Sequence, residues 1–116
     1  VLWLTVAAAV AVAQQVTERV FRLAQLASSK ASLDLTRSMT LPELAKLGFA
    51  EWRNLVLIER HGDETAMPGL MHEIVEAKPD AIVAIGGAAV KSAAAATKAI
   101  PIIGFGPDVI FLGYAT

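Results

Sequence analysis

Gly86-Gly87-Ala88 is the stretch of this chain best suited to hold a ligand. It follows the apolar run Ala81-Ile82-Val83-Ala84-Ile85 and precedes an alanine-rich stretch that reaches Ala99. Glycine permits a tight turn and lets a ligand approach the backbone. Where a helix starts, its first amides have no internal partner and carry partial positive charge. A carboxylate or phosphate can dock on such amides. A plain strand-to-helix turn needs the same glycines for geometry alone, so both readings stand on these residues.

Other chemistry-bearing residues carry less. Ser28 and Ser29 can hydrogen-bond a ligand, although serine is common in any turn. Asp108 can meet a ligand amine or shape a turn. His72-Glu73-Ile74-Val75-Glu76 resembles the helix of a zinc protease, but Glu76 stands where the second histidine belongs and His61 is remote in sequence. No metal site is therefore expected, and the two histidines are read as exposed or half-buried. Gly104-Phe105-Gly106 begins like a dinucleotide fingerprint, but Val109 occupies the third glycine position. Lys91-Ser92 matches the end of a P-loop, but Val90 replaces the glycine before it. No nucleophile has a credible base, so neither catalysis nor a cofactor is expected.

These residues need elements to position them. The run Ala81–Ile85 is too short for a globular helix and shows no alternation, which predicts a strand buried on both faces. The alanine stretch is a strong helix former. Ile100-Pro101-Ile102-Ile103 opens another apolar run. Strand, glycine turn, helix and strand make one βαβ crossover and a parallel sheet. In such sheets ligands sit beyond the carboxyl ends of the strands, where Gly86-Gly87 falls.

Upstream, Val20–Leu26 reads as a first strand ended by Ala27-Ser28-Ser29. A helix follows from about Ser32 to Leu47, closed by Gly48. Pro42 inside it predicts a kink or a restart at Thr40, where Thr40-Leu41-Pro42-Glu43 fits a capping box. Asn54–Arg60 is the second strand. Met67, Leu70, Met71, Ile74 and Val75 trace an amphipathic helix with Pro68 in its first turns, stopped by Lys78-Pro79. Gly106-Pro107-Asp108 makes a turn, and Val109–Leu112 is a short apolar run of undefined type. The expected fold class is α/β, three layers with a parallel sheet in order 2-1-3-4 and helices on both faces.

The chain has 116 residues, enough for one small domain. Its hydrophobic share of 55% exceeds that of an ordinary soluble domain, and the uncharged run Val1–Ala13 supplies part of the excess. That run is too short to span a bilayer and ends in the A-x-A sequence Ala11-Val12-Ala13 before polar Gln14. It matches a secretory signal whose basic start is clipped, with a buried strand or helix as the alternative. Ten basic against eleven acidic residues, with no basic stripe, exclude nucleic acid as an expected partner. Cysteine is absent, so disulfides, thiolate sites and a lipid-modified cysteine are excluded.

Three segments resemble a family of ABC transporter substrate-binding proteins that includes putative tryptophan/tyrosine-binding transport proteins. Gly48–Leu57 is similar to its "LGY-x-E-G-x-N-hydrophobic" segment, and Pro68 falls as in its "LPALAAEL" stretch. Lys78–Ile103 resembles its "KPDVIVAxGTPAAxAAKxATxxIPIV" stretch most specifically. The resemblance runs from about Val20 onward. It implies a type 1 periplasmic binding fold of two α/β lobes that close on a small solute. Residues 14–116 would be a partial N-terminal lobe, after a signal peptide at 1–13. Implied ligand contacts are Ser28 and Ser29; Gly86, Gly87 and Ala88; and the Gly104–Asp108 loop with Asp108. Implied partners are a small solute, an amino acid among the candidates, and the permease and ATPase of a cognate importer. The implied location is periplasmic, with membrane contact only through the transporter.

The chain departs from the family pattern at several places. Gly87 replaces a threonine hydroxyl and Ala88 a proline. Trp52 occupies a turn glycine, which predicts a distorted turn before the second strand. Pro42 interrupts the first helix, and the loop around Asp108 is short. The alternatives are a nucleotide-binding or receiver-like regulatory or enzyme domain, or an inactive fragment.

Overall fold

The computed structural model describes residues 19–106. The elements run β1 (Phe21–Ala27), α1 (Lys30–Lys46), β2 (Leu55–His61), α2 (Met67–Glu76), β3 (Ala81–Ile85), α3 (Gly87–Ala96) and β4 (Ile102–Phe105). All strand pairs are parallel, and the sheet order is β2-β1-β3-β4, as expected from the sequence. Val1–Ala13, Asp108 and Val109–Leu112 lie outside the described residues.

Register assigns the two faces. Ile58, Ala24, Ile82 and Ile102 form one row across the sheet. They pack with Met67, Met71 and Ile74 of α2 and with Ala89, Val90 and Ala93 of α3 in the main core. Burial of such side chains contributes about 25 cal/mol per Å² of apolar surface removed from water. The next row is Glu59, Gln25, Val83 and Ile103, facing the opposite side because strand residues alternate. Arg37 of α1 reaches Glu59 at 2.6 Å and Glu51 at 2.7 Å, which places α1 over this second face. Burial opposes the Arg37 charge, but Glu59 and Glu51 outweigh it and hold its pKa above the ordinary value.

α1 packs on β1 and β2. On β4 the outward residues Ile103 and Phe105 remain 49% and 47% exposed. Gln25 is fully buried, and among the described residues neither atom of its side-chain amide has a hydrogen-bond partner. Most buried polar groups are paired, so this amide is an exception on the second face.

Two sequence expectations require correction. α1 runs unbroken from Lys30 to Lys46 with Pro42 inside, so no restart occurs at Thr40. Pro42 is exposed, and so is Ser38, whose carbonyl loses the amide at position 42. Trp52 does not distort its turn. The Arg53, Asn54 and Leu55 amides all donate to the Ala50 carbonyl at 3.0 Å. Among the described residues Lys78 is the one non-glycine with positive φ, so Trp52 occupies ordinary backbone and points its ring to solvent at 84% exposure.

The α1 stop behaves as expected. Gly48 takes φ +97, its amide donates to Ala45, and the Phe49 amide donates to Leu44, closing a Schellman motif. At the same end of the sheet, where the parallel strands start, Asp80 of the Pro-Asp turn stitches β3 to β1. Its carboxylate accepts from the Arg22 amide at 2.8 Å and from Arg19 at 2.6 Å, and its amide donates to the Arg22 carbonyl at 2.7 Å.

Candidate site at the β1–β3 switch point

β1 and β3 are neighbours, yet their connections leave in opposite directions: β1 leads to β2 on one side and β3 to β4 on the other. That reversal is a topological switch point, the place where open parallel sheets form a crevice beyond the strand tips. The fold brings Ser28-Ser29, after β1, and Gly86-Gly87-Ala88, after β3, to the same edge of the sheet. α1 begins on one side of the crevice and α3 on the other, so two helix N-termini contribute partial positive charge there.

Each residue has a defined local role. Gly86 caps α3 at φ 94 and ψ 159, a conformation open essentially to glycine alone. Its carbonyl accepts from the Val90 amide at 3.0 Å, and its own amide donates to Phe105 at 2.7 Å. A Cβ built on Gly86 would meet nothing within 4 Å, so the space above the turn is open. Gly87 is buried and Ala88 is half-buried. Ser29 caps α1: its Oγ accepts from the Ser32 amide at 3.1 Å and donates to the Ser32 hydroxyl at 3.1 Å. Ser28 is exposed and its hydroxyl has no protein partner among the described residues. Of the two serines, Ser28 is the one free to meet a solute.

The loop after the fourth strand starts later than expected. Gly104 and Phe105 belong to β4, and only Gly106, at φ +133, stands beyond it among the described residues. Strand pairing with β3 absorbs them, because Ala84 opposes Gly104 and Ile85 opposes Phe105. The His72 Nε2 to Glu76 Oε1 distance is 3.8 Å on an exposed helix face, and His61 is exposed at the end of β2. Among the described residues no group of three or more His, Cys, Asp or Glu is placed to hold a metal, and no helix is long and apolar enough to cross a membrane.

Two features escaped sequence reasoning. The Gly62 amide donates to the Ala27 carbonyl at 3.2 Å, tying the tips of β1 and β2. A groove of about 670 Å³ lies between α2 and α3, on the outer surface rather than in the crevice, and shares only Ala88 with the predicted site. Its signal was present in the sequence: Ala88, Ser92 and Ala95 on α3 recur at helical spacing, as do Pro68, His72 and Val75 on α2.

The fold is that of a doubly wound parallel α/β domain, with the Gly86 turn and Ser28 at its switch point. Comparison with known proteins adds no relative: no family model, no curated protein and no solved structure matches this chain.

Proposed function

We propose that this chain is the first lobe of a solute-binding protein serving an ABC importer. It captures a small solute, with amino acids as the leading candidates, and performs no chemistry. The observation that carries the reading is the placement of the Gly86 turn beside Ser28 at the switch point, with open space above it. The switch point offers the partial positive charge of two helix starts and the Ser28 hydroxyl, which has no partner among the described residues, a set suited to a carboxylate. The resemblance of Lys78–Ile103 to the substrate-binding family supplies the transport context and the periplasmic location. Closure of a second lobe would complete the cleft, so a single lobe binds weakly.

A receiver-like or phosphate-transferring reading needs an acidic cluster or a phosphate fingerprint at the strand tips. The tips of β1 and β3 carry Ser28, Ser29, Gly86 and Gly87 instead. Isothermal titration of the complete gene product with aromatic and branched amino acids tests the proposal. Saturable heat that is lost with a bulky residue at Ser28 supports it. Absence of binding, in a gene without neighbouring permease and ATPase genes, defeats it.

A further inference from the structure

We propose a second ligand site, independent of the crevice: the groove between α2 and α3 binds a small apolar carboxylate. Both helices follow strands of one parallel sheet, so they run side by side in the same direction. Small residues on α3 keep its flank low, and Pro68 and Val75 on α2 form the facing wall. The resulting volume of about 670 Å³ lies within the range of small-molecule pockets, which are mainly apolar with a few convergent polar groups.

The polar groups decide the ligand. Lys91 and Ser92 lie side by side on the α3 flank, a turn into the helix, and neither side chain has a partner among the described residues. Facing them, His72 has its own partner, Glu76, at 3.8 Å. Glu64 precedes α2 at the end nearer the strand tips and repels an anion there. The carboxylate therefore sits at Lys91 and Ser92, and the hydrocarbon runs away from Glu64 toward Val75 and Ala95. From Lys91 to Ala95 the helix rises about 6 Å, which suits a chain of a few carbons.

Octanoate is the probe, titrated into the isotope-labelled chain with amide shifts as the readout and circular dichroism confirming the fold of each variant. Saturable shifts centred on His72, Ser92 and Ala95 are expected. Lys91→Gln weakens binding roughly fivefold, the scale of an exposed ion pair. Ala95→Phe, at an exposed position, fills the groove and removes binding. Octylamine, with the opposite charge on the same tail, binds more weakly than octanoate. Equal affinity for octylamine, an unchanged Lys91→Gln affinity, no saturable shift, or shifts centred on Ser28 and Gly86 would each overturn the proposal. The last outcome leaves the crevice reading standing, so the two readings fail separately.

Discussion

The Gly86 amide donates to the Phe105 carbonyl at 2.7 Å, so the turn that ends β3 is held by the tip of β4. This bond joins the candidate site to the edge strand. It also fixes Gly86 in its left-handed, extended conformation while the space above stays open.

Gly86→Ala should therefore destabilise the domain by about 1–3 kcal/mol, although its methyl group meets no neighbour. The cost arises from the backbone alone. Denaturant unfolding measures it, and an unchanged midpoint would show that the turn relaxes without strain.

The two serines after β1 should separate stability from binding. Ser29→Ala removes the α1 cap and costs about 1 kcal/mol. Ser28→Ala, at an exposed position, changes stability by less than about 0.5 kcal/mol. Thermal or denaturant unfolding of both variants decides this. Equal losses would contradict the assignment of the cap to Ser29.

Gln25→Met should stabilise the fold. Neither amide atom has a partner among the described residues in this fully buried site, and an unsatisfied buried polar group costs about 1–3 kcal/mol. Methionine matches the shape without that cost. A lower unfolding midpoint in the variant would reveal a partner for the amide, such as an ordered water.

Asp63 sets an acid-side dependence. The Thr65 hydroxyl, then the Ala66 amide, hydrogen-bond its carboxylate and hold its pKa below the ordinary carboxylate value. The unfolded chain then binds the proton more readily than the folded one. The contribution is complete above the ordinary value of 3.8 and is lost as pH falls through the lower folded pKa. In Asp63→Asn the stability profile should flatten over that window. An identical slope in both proteins would remove Asp63 from the turn's energetics.

Particular segments show how far the sequence reached. The run Ala81–Ile85 was legible as a doubly buried strand because uninterrupted apolar residues suit only such a position. The glycine turn, the α2 stripe and the Gly48 stop were legible because each is a local signal with a fixed geometry. The restart expected near Pro42 did not occur, since a proline penalty is local while its exposure on α1 is a tertiary fact. Trp52 was misread because a family glycine does not prove that a turn needs positive φ.

By itself the sequence determined the order of strands and helices along the chain and the parallel crossovers that join them. Those follow from periodicity, turn chemistry and the chirality of parallel connections. Only the tertiary structure decided that Ser29 is occupied as a cap while Ser28 is free, that Gly104 and Phe105 pair in β4, that Gln25 is stranded, and that a groove opens beside Lys91. Each depends on distances between segments remote in the chain, which no local pattern encodes.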